Sequence, residues 1–352
     1  MRRRVVAGLA TACVLALAGI VAVRATSGSL PRPQAAGAEP TTTEEPTFAP
    51  GTTPPTSETT TTTLPPTTTT VAPTTTTTAA PRPVHDLTVY SGLGTWADVY
   101  DWSDAFNQGT AKLTTADIDR MAAEGVQTLY IQTSKSEAPT DVLEPQHLQP
   151  LINRAKADHL SVVAWYLPTF ENEPLDLQRL IAAANIKGVD SVAVDIESEK
   201  VQDVGERNRR LLALTAGLRS ALPKMTLGGI VYPPIVTDVL NQNIWPNFPW
   251  TQLAPVYDVW LPMDYQSFRS AQSPYRNAYR YTTENIDRLR AHLGLPHAPV
   301  HAIGGIADQT SPADVADMLR GAVQRQALGG SLYDYRTTGA NLWPGLRSFR
   351  RR

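Results

Sequence analysis

Short apolar runs bounded by turn residues recur along the chain after about residue 84. They lie at 95–100 (TWADVY), 126–133 (VQTLYIQT), 161–168 (SVVAWYLP), 191–197 (SVAVDIE), 225–232 (MTLGGIVY), 257–265 (YDVWLPMDY), 299–307 (PVHAIGGIA) and 329–335 (GGSLYDY). Each has the length and residue content of a buried strand. Most of the gaps between them carry a helix signal. TTADIDRMAAEG offers Thr114 as cap, Asp117 three positions on and Gly125 as a stop. The next gap sets Leu148, Leu151, Ile152 and Ala155 on one helical face. GERNRRLLALTAGLRSAL is the longest predicted helix, and SPADVADML opens with Ser311 as cap, Pro312 in the first turn and Asp314. NQNIWPNFPW, after the fifth run, reads as an aromatic loop. Eight strands alternating with helices predict a parallel (β/α)8 TIM barrel over residues 84–349. An open doubly wound sheet is the alternative, but no GxGxxG follows the first strand.

The N-terminal quarter has a different pattern. Residues 1–28 read as a signal peptide or membrane anchor: MRRR, an apolar run from Val5 to Val23, then Arg24 and ATSGS. The run is long for a signal and short for a span, so cleavage after Ala25 and retention both fit. Either way the rest of the chain is predicted outside the cell, secreted or anchored to the membrane by this segment. Residues 29–83 are mostly Thr and Pro. They have too little to bury to offset the cost of ordering, which predicts a disordered linker whose Thr hydroxyls can carry O-linked sugar.

Composition narrows the chemistry. A net charge of -2 gives no electrostatic case for nucleic acid. The single Cys, Cys13, lies in the N-terminal run, so an intrachain disulfide and a Cys zinc site are excluded. The six His residues lack metal-ligand spacing, and His159 and His301 have no evident partner in the sequence. No metal or cofactor is expected, and a monomer is.

A barrel places its site at the C-terminal ends of its strands. The candidates there are Asp101 and Trp102, Gln132, Trp165, Asp195 and Glu197, Tyr232, then Asp264, Tyr265 and Gln266, and finally Asp334. Such an acidic, aromatic rim suits a hydroxyl-rich glycan: aromatic faces stack on sugar rings, and carboxylates accept from hydroxyls or move protons. In DSVAVDIES, Ala193, Asp195 and Glu197 share one strand face. Two carboxyls so close drive their pKa values apart, and a carboxyl kept protonated near neutral pH is what a glycosidase needs as general acid. The competing reading is a pair that anchors a loop or meets Lys200 or an Arg. Trp245, Phe248 and Trp250 either line a sugar subsite or pack onto the barrel.

Asp190, Ala193, Asp195 and Glu197 together resemble the D-x-x-D-x-D-x-E signature that ends the fourth strand of family 18 glycoside hydrolases, the chitinase-like barrels. Met263 and Tyr265 resemble that family's M-x-Y-D. The resemblance implies Glu197 as the acid and Asp195 as the residue orienting the substrate's N-acetyl group, with Tyr265 helping to hold the acetamide. Departures are visible: Ala193 replaces the middle Asp, Gln266 the final Asp, and strand three lacks S-x-G-G. A D-x-E on strand four with Asp101 on strand one is also similar to family 25 lysozymes, and PVHAIGGIAD resembles phosphate loops of thiamine phosphate synthase-like barrels. The expected function is hydrolysis of an extracellular polysaccharide or cell-wall glycan. A non-catalytic glycan-binding barrel at the cell surface is the alternative.

Overall fold

The computed structural model describes residues 85–107 and 109–350. The predicted signal or anchor (1–28) and Thr/Pro linker (29–83) lie outside the described residues. Among the described residues no helix is long and apolar enough to cross a membrane.

Eight strands form one parallel sheet: β1 Gly92–Ala97, β2 Thr128–Gln132, β3 Ser161–Tyr166, β4 Ser191–Ile196, β5 Leu227–Val231, β6 Val259–Pro262, β7 His301–Ile306 and β8 Gly329–Tyr333. Their order is β6-β5-β4-β3-β2-β1-β8-β7. Bridges Trp260–Val300 and Met263–Ile303 join β6 to β7 and close the ring into a (β/α)8 barrel. Among the described residues six helices of ten or more residues follow strands: α1 Thr115–Glu124, α2 Pro145–Ala157, α3 Glu173–Ala184, α4 Val204–Ala221, α5 Ala278–Leu293 and α6 Pro312–Gln324.

Local signals act where the sequence pattern predicts. Thr114 and Asp117 form a reciprocal capping box at α1, and Gly125 ends the helix in the left-handed conformation at φ 90°. Ser311 and Asp314 repeat the box at α6, with Pro312 in its first turn. After β5 there is no long helix. Short turns at Val236–Leu240 and Trp250–Leu253 stand there instead, and the segment contributes Trp245, Phe248 and Trp250 to an aromatic run from Phe170 to Trp260, with successive ring centroids 4.5–6.1 Å apart. Trp245 and Trp250 therefore pack onto the barrel. One strand differs from expectation. β1 begins three residues earlier than predicted and ends at Ala97, and Val99–Trp102 is a helical turn capped by Asp98. The Gly residues at 92 and 94 masked its start, because glycine is depleted in strands.

The barrel interior is filled in layers. At the N-terminal end the turn Leu87–Tyr90 acts as a plug: the Tyr90 hydroxyl lies 2.7 Å from Ser191 Oγ and donates to Val192 O. Gly228 leaves it room, since a Cβ there would stand 2.7 Å from that hydroxyl. Above it His301 has the partners that its sequence context did not reveal. Its Nδ1 is 2.9 Å from Tyr90 O, and its Nε2 is 3.0 Å from Ser331 Oγ, which accepts from Trp96 Nε1 at 2.8 Å. Burial depresses the His301 pKa to about 4, so the imidazole is neutral and donates from Nδ1. Trp96 stacks on Tyr130 at 4.2 Å and meets Trp165 edge-on at 6.1 Å.

Where β1 meets β8 the backbones touch. Gly92 pairs with Gly329, and a Cβ on Gly329 would lie 2.1 Å from Gly92 O. The obstacle is backbone on a neighbouring strand, so it cannot rotate away. Gly329→Ala is expected to destabilise the domain by roughly 2–3 kcal/mol or more in urea unfolding; an unchanged midpoint would mean that this junction is not as tight as described.

Candidate active site

The mouth of the barrel holds a cavity of about 350 Å³. Asp195 and Glu197 line it, with Trp165 and Tyr333 among its aromatic walls. The reason is local. Successive side chains of β4 alternate between faces, so Ala193, Asp195 and Glu197 share the face that lines the cavity and Val192, Val194 and Ile196 take the other. Trp165 pairs in register with Ala193, setting a bulky inward side chain beside a small one. Asp190, the first carboxylate of the sequence signature, has a structural role at the strand's start: it accepts from Val162 N and pairs with Lys156 at 2.5 Å.

Asp195 is 4% exposed and Glu197 1% exposed, and among the described residues neither forms an ion pair. Burial raises the Asp195 pKa to about 8. Burial, then the nearby charges of Asp195 and Glu199, hold Glu197 well above the usual carboxylate range. Asp195 Oδ1, Glu197 Oε2 and the indole Nε1 of Trp165 are all buried without a hydrogen-bond partner. Buried polar atoms are almost always paired, so these three, which line one cavity, have hydrogen-bonding capacity left for solvent or a polar ligand there.

The other residues singled out in the sequence are divided. Trp165 lines the cavity with the acidic pair. Tyr232 stands behind it: its hydroxyl donates to the Glu197 carbonyl at 2.9 Å and lies 3.3 Å from Glu199 Oε1. Tyr265 is buried with its ring 6.3 Å from that of Tyr333, outside the cavity lining. Gln266 is buried against Gly305. Asp264 is enclosed away from the cavity, its pKa raised well above the usual range by burial and only partly offset by Asn285 of α5. Trp102 packs in the outer core and donates to Gln132 O.

Asp101 and Asp334 join a residue that the sequence reading passed over, Asp98. One oxygen from each lies within 4.8 Å of the others, close enough to share a proton or a cation. Asp334 is tied down by Thr337, and Asp101 accepts from Asp98 N and has Arg336 at 3.9 Å. Only Asp98 of the three lines the cavity. Asp104, Glu144 and His147 form a second, more exposed cluster. Other missed lining residues come from loops after β2, β3 and β4, among them Lys135, Glu137, Leu167, Thr169 and Lys200. Lys135 is held by the Tyr100 hydroxyl at 2.6 Å. The displaced boundary of β1 hid Asp98, the first residue past the true strand end. For the loop residues no local pattern distinguishes lining from solvent.

No protein-family model matches the chain, and no curated protein matches it. Solved structures do. A family 18 chitinase from Cycas revoluta in complex with (GlcNAc)3 superposes with a TM-score of 0.54 at 12% identity, covering 73% of this chain and 99% of the chitinase. The spore cortex-lytic enzyme SleL from Bacillus megaterium superposes with a TM-score of 0.52 at 9% identity, covering 74% of each chain. At these identities the likeness shows the fold alone, a parallel (β/α)8 barrel.

The acidic pair has a consequence for stability. An unfolded Asp titrates near ~3.9, whereas folded Asp195 titrates at about 8. Between those values the folded chain binds the extra proton. Its contribution is therefore fully present below the unfolded value and lost as pH rises through the folded one. Asp195→Asn removes this loss. Its unfolding midpoint should exceed that of the wild type by an amount that grows from pH 5 to pH 8; a pH-independent difference would contradict the raised pKa.

Proposed function

We propose that the chain is an exported glycoside hydrolase acting on an extracellular polysaccharide or cell-wall glycan, with Glu197 as general acid. The observation that carries this reading is the convergence of three unpartnered polar atoms, on Asp195, Glu197 and Trp165, in one aromatic-walled cavity at the strand ends. Glu197 holds a proton at neutral pH because it is desolvated, and a protonated carboxyl can donate to a glycosidic oxygen. Asp195, two residues earlier on the same face, orients the N-acetyl substituent of the sugar bound beside the acid. Trp165 supplies a stacking face and an N–H donor. One structural neighbour is a chitinase in complex with (GlcNAc)3 and another a spore cortex-lytic enzyme, and the first favours an amino-sugar polymer among the candidates. Export rests on the N-terminal pattern of residues 1–28, which would deliver a monomeric domain on its Thr/Pro linker to such a polymer.

Ala193 favours a second reading, a barrel that binds glycan without cutting it. The position beneath Asp195 carries no carboxyl to share its proton.

One screen separates the two. The purified protein is offered chitin oligomers, peptidoglycan, and α- and β-glucans, beside Glu197→Gln. Hydrolysis that falls about 100-fold or more in the variant is expected. Hydrolysis at full rate in Glu197→Gln would remove Glu197 from the role of acid. Binding without turnover in both proteins would support the non-catalytic barrel.

A further inference from the structure

We propose that Asp98 is the second catalytic carboxyl of the cleft, the base that activates water on the side of the sugar away from Glu197. The inference rests on the reading of the cleft as a glycosidase site. It starts from placement. Asp98 follows the last residue of β1, and β2 and β3 separate that strand from β4 in the ring. Asp98 and Glu197 thus reach the same cavity, of about 350 Å³, from strands three apart in the ring. Inverting hydrolysis sets its two carboxyls on either side of the sugar, with room for a water beside one of them.

The hydrogen bonds divide the labour. Asp98 Oδ1 accepts from Tyr100 N at 2.8 Å and Asp101 N at 3.2 Å, and its Oδ2 accepts from the Tyr333 hydroxyl at 2.8 Å. Donors of this kind favour a carboxylate, and Asp195 Oδ1 and Glu197 Oε2 have none. The groups facing Asp98 are Asp101 on its own turn, Asp334 and Tyr333 from β8 and its end, and Tyr100. Arg336 lies 3.9 Å from Asp101, and Lys135 is held on the Tyr100 hydroxyl. Burial and then Asp334 raise the Asp98 pKa to about 6, which leaves it ionised at pH 7.

The step balances. Glu197 gives its proton to the glycosidic oxygen, and the bond from that oxygen to the anomeric carbon breaks with its electron pair going to the oxygen. Water bonds to the anomeric carbon and passes one proton to Asp98. Proton exchange with solvent restores both carboxyls, and the new hydroxyl has inverted configuration.

Two measurements test this. Carboxyl-labelled 13C-Asp NMR of the full chain needs no substrate, and Asp98→Asn identifies the resonance; Asn caps a helical turn as well as Asp does, so folding is kept. The resonance should report an ionised group at pH 7 with a midpoint near 6; a group still protonated at pH 7 would overturn the proposal. On any glycan whose hydrolysis depends on Glu197, Asp98→Asn should lower kcat about 100-fold with KM little changed. Asp98→Glu should recover part of the rate, and NMR of the nascent product should show inversion. An unchanged kcat in Asp98→Asn, or a retained anomer, would sink it. Failure of every glycan to be cut would instead remove the reading on which the catalytic role rests, while the titration still decides the charge on Asp98.

Discussion

Asp195 and Glu197 are buried side by side at the end of a strand, with no ion pair among the described residues, and the chemistry of the cleft follows from that desolvation. In water both groups would be ionised. Here burial penalises the charged form of both, and for Glu197 the charge of Asp195 adds to the penalty, so protons stay on. The arrangement costs stability at neutral pH, and the rest of the barrel must supply it. That is the usual relation between a functional site and its scaffold: local rules are broken in the mouth and kept elsewhere.

The layer beneath the pair makes the desolvation possible. Trp96, Tyr130 and Trp165 pack together below it, and the polar column of Ser331, His301 and Tyr90 is neutral and internally hydrogen-bonded. Ala193 belongs to the same layer and adds no charge. The Ala at this position therefore changes the electrostatics of the site as a whole. Without a carboxyl beneath it, Asp195 is raised by burial alone. The ionised counterpart is then sought across the cleft, where Asp98 has backbone and Tyr333 donors.

Much of the fold was legible because its signals are local. Capping boxes at α1 and α6, the Gly125 stop and eight apolar runs each act within a few residues, and a parallel barrel repeats one unit. The β4 pair was legible for the same reason, since strand alternation alone puts residues 195 and 197 on one face. The β1 end was not. Glycines 92 and 94 concealed the strand's start, the boundary slid by three residues, and Asp101 was singled out in place of Asp98. Asp264 shows a different limit. It ends a strand and is acidic, yet it is enclosed by α5, and which face a residue takes beyond the last paired strand position depends on the loop that follows. His301 gained its partners from β8 and the N-terminal plug, more than 25 residues away in sequence.

Burial keeps Glu197 protonated in the resting protein. Infrared difference spectroscopy between the wild type and Glu197→Gln at pH 7 tests it directly. The substitution should remove a protonated-carboxyl C=O stretch, with no matching loss of carboxylate bands. Loss of a carboxylate band alone would show Glu197 to be ionised and would contradict it.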